Sequence, residues 1–113
     1  MVVDDEADIR SLLQEILSDE GYEVRVAADA EEARRQYAEH APDLILLDIW
    51  MPGTDGISLL KEWVSRGLKS AVVMMSGHGT VDAAMEATRL GAYDFIEKPL
   101  SLSKLLRSVQ RGL

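Results

Sequence analysis

Residues 44–56 read Leu44-Ile45-Leu46-Leu47-Asp48-Ile49-Trp50-Met51-Pro52-Gly53-Thr54-Asp55-Gly56, and this stretch decides the fold. Its four leading apolar residues do not alternate with polar ones. An unbroken run of this kind fits a strand buried on both faces, as in a parallel sheet. Asp48 ends that run, and a loop from Trp50 to Asp55 leads into a helix expected from about Gly56 to Arg66. Asp48 then reads in two ways: as a nucleophile taking up a phosphoryl group to form an aspartyl phosphate, or as a plain turn or helix cap.

Outward from there, strand and helix alternate five times. Met1–Val3 is a short apolar stub ending at Asp4. Residues 7–20 carry Ile9, Leu12, Leu13, Ile16 and Leu17 at helical spacing, stopped by Gly21. Residues 22–27 read as a second strand. Asp29 with Glu32 resembles a capping box opening a helix to about His40, which Pro42 closes. Ala71–Met75 is a fourth strand. Thr80 is the expected N-cap of a helix to Leu90, with Gly91 as its C-cap. Asp94–Glu97 is a fifth strand, and Ser101 caps a last helix. Strands alternating with helices imply βαβ units and a parallel sheet covered on both faces. The expected architecture is a flavodoxin-like, doubly wound α/β domain of five parallel strands, order 2-1-3-4-5, with five helices. Ligands in such sheets bind beyond the carboxyl ends of the strands, at the switch point of strand order. Here that point lies between strands 1 and 3, the two that end in aspartates.

The bulk numbers bound the function. The chain has 113 residues, one domain's worth, and 47% of them are hydrophobic. Its 20 acidic against 12 basic residues, net −8, argue against direct nucleic-acid binding. The absence of cysteine excludes disulfides, thiolate zinc sites and cysteine nucleophiles. No apolar stretch is long enough to cross a bilayer and no signal-peptide pattern is present, so a cytoplasmic domain is expected, without membrane contact. The first strand has fewer residues than a central strand usually has, and the last helix ends at Leu113 without a tail. Both suggest a domain of residues 1–113 cut from a larger chain, with its first strand shortened.

The chemistry-bearing residues cluster by topology. Asp4 and Asp5 suit Mg²⁺, which takes one or two carboxylates and completes its octahedron with water and phosphate; the plain alternative is a favourable charge at a helix N-terminus. Trp50 offers a backbone carbonyl to the ion, and its ring a shield. Ser76, at the end of strand 4, suits a hydrogen bond to a phosphoryl oxygen, or belongs to a flexible Ser-Gly-His-Gly turn. His78 reads as a general base or, more commonly, a solvated loop histidine. Lys98 offers a cation at the end of strand 5, and a tight turn at Pro99 would fix its direction. Glu97 is expected to face solvent. Met74 and Met75 are expected in the core.

Val3-Asp4-Asp5-Glu6, the Leu-Asp stretch ending at Asp48, Met51-Pro52-Gly53 with Asp55-Gly56, Ser76-Gly77, Gly91-Ala92 and Lys98-Pro99 together resemble the receiver domain of two-component response regulators. The resemblance spans essentially the whole chain. It implies a phosphorylation switch in which a sensor histidine kinase donates its phosphoryl group to an aspartate with Mg²⁺. By that resemblance Asp48 is the phosphoacceptor. Asp5 is the direct Mg²⁺ ligand, Asp4 ligates through water, and Trp50 through its carbonyl. Ser76 is the switch hydroxyl, Phe95 sits at the switch aromatic position, and Lys98 pairs with the phosphoryl group. Trp50 and His78 occupy the two positions that tune dephosphorylation, and a bulky Trp50 implies a long-lived phosphoryl group. Residues 76–80, Ala83-Ala84-Met85 and Gly91-Ala92-Tyr93-Asp94-Phe95 look most like receivers of nitrogen-regulation-type transcription factors, which carry output domains downstream.

Three rivals share parts of this pattern. A flavodoxin-type cofactor binder needs a hydroxyl- or Gly-rich phosphate loop after strand 1, where this chain has acids. A haloacid-dehalogenase-type phosphohydrolase places a second Asp two residues past the nucleophile, where Trp50 stands, so enzymatic turnover is not expected. A degenerate receiver acting as an interaction module is the third. The expected output is a repacked face of helix 4, strand 5 and helix 5. There Glu86, Arg89, Asp94, Lys104 and Arg107 suit either a homodimer contact or a solvated surface.

Overall fold

The computed structural model describes residues 1–77, 81–98 and 100–113. The chain runs β1 (Val2–Val3), α1 (Ala7–Asp19), β2 (Val26–Ala27), α2 (Ala30–Glu39), β3 (Leu44–Asp48), α3 (Gly56–Ser65), β4 (Ala71–Ser76), α4 (Val81–Leu90), β5 (Asp94–Glu97) and α5 (Leu102–Gly112). The five strands form one parallel sheet in the order β2-β1-β3-β4-β5. This is the flavodoxin-like doubly wound arrangement expected from the sequence.

Strand alternation divides the core into two layers. Ile45, Leu47, Val72 and Met74 pack with Leu59, Leu60 and Trp63 of α3, Ala30 and Ala33 of α2, and Ala84 and Ala87 of α4. Leu44, Leu46, Val73, Met75 and Ile96 pack on the other side with Leu13 and Leu17 of α1 and Leu105 and Val109 of α5. Every residue of β3 is buried, which is why its sequence is an unbroken apolar run. Met74 and Met75 are core residues and Glu97 is exposed, as expected.

The second strand is shorter than its composition implies. Residues 22–27 are rich in strand formers, but β2 is an edge strand whose one neighbour, β1, offers two residues in register, Val2↔Val26 and Val3↔Ala27. Tyr22 and Val24 therefore pack against the α1/α5 layer without joining the ladder. The capping box at α2 is also altered. The Asp29 carboxylate accepts from the Glu32 backbone N–H at 2.8 Å. Glu32, however, reaches past residue 29 to accept from Ala28 N–H at 3.4 Å. Ser101 stands at the N-cap of α5 but makes no cap bond, its hydroxyl lying instead 3.2 Å from that of Ser103. The expected cap Thr80, the tuning residue His78 and the turn at Pro99 lie outside the described residues.

Candidate functional site

The parallel strands deliver Asp4, Asp48, Ser76 and Lys98 to one edge of the sheet. Asp4 directly follows β1, Asp48 ends β3, Ser76 ends β4 and Lys98 directly follows β5. β1 and β3 are neighbours, so the carboxylates of Asp4, Asp5 and Asp48 converge, with one oxygen from each within 4.8 Å of the others. Asp4 is 0% exposed and Asp48 4%, while Asp5 is exposed at the rim.

Lys98 balances part of this charge. Its ammonium donates to Asp4 Oδ2 at 3.0 Å and to Asp48 Oδ1 at 3.5 Å. Burial alone would lower the lysine pKa. The hydrogen bond that Lys98 donates to Asp4 and the charges of Asp48, Asp4 and Glu6 outweigh it, and the net shift is upward. Asp48 moves the other way from an ordinary carboxylate. Burial first, then the charge of Asp4, raises its pKa to about 6 against the charge and hydrogen bond of Lys98, with Asp5 adding to the rise.

The donor set fits a hard divalent cation. Three carboxylates against one ammonium leave an excess of negative charge in a largely buried recess, and their oxygens suit Mg²⁺ better than a softer transition metal. Trp50, whose carbonyl was expected to contribute, lies in the loop after β3, and the residue is 64% exposed.

Ser76 is fully buried, yet among the described residues its hydroxyl has no hydrogen-bond partner. Its backbone carbonyl accepts from Lys98 N–H at 2.7 Å, tying the serine and the lysine across β4 and β5. By strand alternation Ser76 continues the Val72-Met74 face. Phe95, opposite Met74 in the ladder, is partly buried against that same layer, which holds Ala84 and Ala87 of α4.

Three features escaped the sequence reading. Glu6 occupies the N-cap position of α1 without making a cap bond, and its carboxylate lies 3.7 Å from the Lys98 ammonium. Gly56 packs so closely under β3 that a Cβ there would overlap the Asp48 carbonyl oxygen, while its N–H donates to Ile49 O at 2.8 Å. Arg34 of α2 donates to Glu62 of α3 at 2.7 Å and to the Thr54 hydroxyl at 3.2 Å, bracing the loop that follows Asp48. Glu6 and Gly56 stand in the quoted motifs, and only their spatial roles were hidden. For Arg34 no local signal existed, since its partners lie 20 and 28 residues away.

Together the fold and the site define a flavodoxin-like α/β domain whose acids and lysine gather at the topological switch point. The chain belongs to the response regulator receiver domain family, which it matches over residues 1–110. It is 45% identical over 115 residues to the nitrogen assimilation regulatory protein NtrX of Azorhizobium caulinodans, an alignment covering 100% of this chain and 25% of that protein. It is 36% identical to the C4-dicarboxylate transport transcriptional regulatory protein DctD of Pseudomonas aeruginosa, covering 100% of this chain and 24% of that protein. The crystal structure of the receiver domain of NtrX from Brucella abortus superposes with a TM-score of 0.94 at 49% identity, covering 99% of this chain and 95% of that one. The chain thus spans about a quarter of the length of the curated regulators it matches.

Proposed function

We propose that this domain is a phosphoacceptor switch that takes a phosphoryl group from a sensor histidine kinase onto Asp48 and relays the event to an output domain on a longer chain. Transcription regulation is the output that the relatives' names favour. One observation carries the reading: a nearly buried aspartate at a strand end shares a lysine with a second buried acid, at the same sheet edge as a buried serine hydroxyl that has no partner among the described residues.

The side chains of Asp4, Asp5 and Asp48 and the carbonyl of Trp50 would hold Mg²⁺. When bound, the ion supplies positive charge against the carboxylates and the phosphoryl oxygens. Asp48 is the acceptor. Phosphorylation adds roughly −1.5 to −2 charge and new acceptor oxygens. Lys98 answers that charge and exchanges its bond to Asp48 for one to the phosphoryl group. The buried Ser76 hydroxyl gains a phosphoryl oxygen as partner. Turning Ser76 draws on the segment before α4 and alters the space that Phe95 fills. The face of α4, β5 and α5 is then repacked.

On that face Glu86, Arg89, Lys104 and Arg107 are exposed, as are Met85, Tyr93 and Leu102. Asp94 is engaged internally, accepting from Ser108 Oγ and from Phe95 N–H, each at 2.8 Å. Homodimerisation through this face is part of the proposal. Sedimentation giving a monomer in both phosphorylation states removes it. The domain acts as a stoichiometric acceptor and not as an enzyme, with at most slow self-dephosphorylation tuned by Trp50 and His78. It works in the cytoplasm; among the described residues no helix is long and apolar enough to cross a membrane.

The test is intact mass after incubation with Mg²⁺ and acetyl phosphate. One alkali-labile phosphoryl adduct, absent in Asp48→Asn and in EDTA, is the expected result. No adduct on a folded, Mg²⁺-binding domain would overturn it in favour of an interaction module that works without phosphorylation.

A further inference from the structure

Lys98 is shared by three carboxylates, and the third, Glu6, has no part in the acceptor chemistry. It stands where a helix cap belongs but caps nothing. Its side chain is 62% exposed, 3.7 Å from the Lys98 ammonium. Its backbone N–H donates to Asp4 Oδ1 at 2.9 Å, which fixes the residue at the mouth of the acid recess. Among the described residues, the other charged groups here have closer partners or a place in the cation site. Asp4 and Asp48 are bound to Lys98, Asp5 belongs to the cation-binding set, and the Arg10 guanidinium donates to the Asp4 carbonyl at 2.8 Å. Glu6 is thus an exposed negative charge held beside the ammonium that Asp48 shares.

We propose that Glu6 is a specificity-determining residue that selects donors by charge, disfavouring doubly charged acyl phosphates relative to singly charged N-phosphoryl compounds. The inference rests on the phosphoacceptor reading of Asp48. In either transfer an Asp48 carboxylate oxygen bonds to phosphorus as the bond to the leaving group breaks. Acetyl phosphate releases acetate with the electron pair of its P–O bond. Phosphoramidate, whose nitrogen already carries its proton, releases ammonia with the pair of its P–N bond. Neither transfer needs a further proton or co-reactant, and the leaving groups are the same for wild type and variant, so a change in the ratio of the two rates on substituting Glu6 reads the charge each donor brings to the site. Repulsion between exposed charges is modest and is screened by salt.

The experiment compares phosphorylation rates of the wild-type domain, Glu6→Gln and Glu6→Asp with acetyl phosphate and with phosphoramidate, at low and at about 1 M ionic strength. In Glu6→Gln the rate with acetyl phosphate is expected to rise about three- to fivefold at low salt, the scale of one exposed charge interaction. The rate with phosphoramidate is expected to change by less than about half that factor, and the difference to vanish at high salt, where the Debye length is about 3 Å. Glu6→Asp, which keeps the charge, is expected to keep the wild-type ratio of rates. Equal changes with both donors mean that Glu6 acts by holding Lys98 and overturn the proposal, as does an unchanged ratio in Glu6→Gln. Failure of the wild-type domain to accept a phosphoryl group from either donor overturns the acceptor reading, and this inference with it.

Discussion

Lys98 donates its backbone N–H to the carbonyl of Ser76 at 2.7 Å, so the residue bearing the site's cation and the residue bearing its buried hydroxyl are joined through the backbone. Their side chains have opposite fortunes. The ammonium is engaged by three carboxylates, and the hydroxyl by none of the described groups. A phosphoryl group on Asp48 would address both at once.

Ser76→Ala is therefore expected to leave the resting domain intact. A buried hydroxyl without a partner carries a desolvation cost, so removing it should change stability by less than about 1 kcal/mol, or raise it. Urea denaturation measures this. The same variant should lose the response: amide chemical shifts in α4 and β5 that move on phosphorylation in the wild type should move far less. A fall of several kcal/mol instead would mean that the hydroxyl is satisfied in the resting state.

Lys98→Met removes the cation and leaves two buried acids facing each other. Breaking a buried ion pair from one side costs about 3–5 kcal/mol. The sign of the pH dependence follows from Asp48. Lys98 holds its pKa down, so without the lysine it rises further. An acid raised in the folded state contributes stability at low pH that is lost as pH rises through the folded value. The destabilisation should therefore be larger at pH 8 than at pH 5, and added Mg²⁺ should recover part of it. Thermal melts at the two pH values, with and without the ion, give the comparison.

The motifs that carry the site were legible because each sits at a strand end. The topology then required them to meet, and the run 44–48 revealed its strand by being apolar on both faces. The missing part of β2 was not legible. Residues 22–25 have the composition of a strand, but a ladder needs a partner, and β1 presents only Val2 and Val3. Composition reports a side chain's preference and not the length of its neighbour. The role of Glu6 was missed for a related reason. An acid at a helix start has an ordinary explanation in the helix dipole, and nothing local reveals that Lys98, 92 residues on, lies within reach.

Asp48→Asn should stabilise the cation-free domain at neutral pH. The carboxyl titrates at about 6 in the fold against an ordinary 3.8. Its ionisation thus costs stability that is gained back as pH falls through 6 toward 3.8. A tenfold change in an acid dissociation constant corresponds to about 1.4 kcal/mol, and after relaxation of the neighbouring charges a gain of about 1–3 kcal/mol is expected at pH 8. The gain should be absent below pH 3.8 and should shrink or reverse in saturating Mg²⁺, because the variant loses a ligand. An Asn variant no more stable than wild type in EDTA at pH 8 would contradict the charge crowding described for the site.

Gly56→Ala tests how Asp48 is held. The glycine lies under the Asp48 carbonyl, and even one methyl group there overlaps the backbone oxygen. Backbone cannot swing aside as a long side chain would, so either α3 or the end of β3 must move. A loss of about 2–4 kcal/mol is expected. Gly53, three residues earlier, supplies the contrast. Its φ of 77° favours glycine, but a Cβ there meets nothing within 4 Å. Gly53→Ala should therefore cost only the backbone preference, about 1 kcal/mol. The two variants should also differ at the site. Displacing the Asp48 carbonyl shifts its carboxylate relative to Asp4 and Lys98, so on the proposed acceptor role Gly56→Ala should slow phosphorylation from acetyl phosphate even where it remains folded, whereas Gly53→Ala should not. Equal effects of the two substitutions on stability and on rate would mean that the turn's flexibility, and not the close approach of α3 to β3, is what holds Asp48 in place.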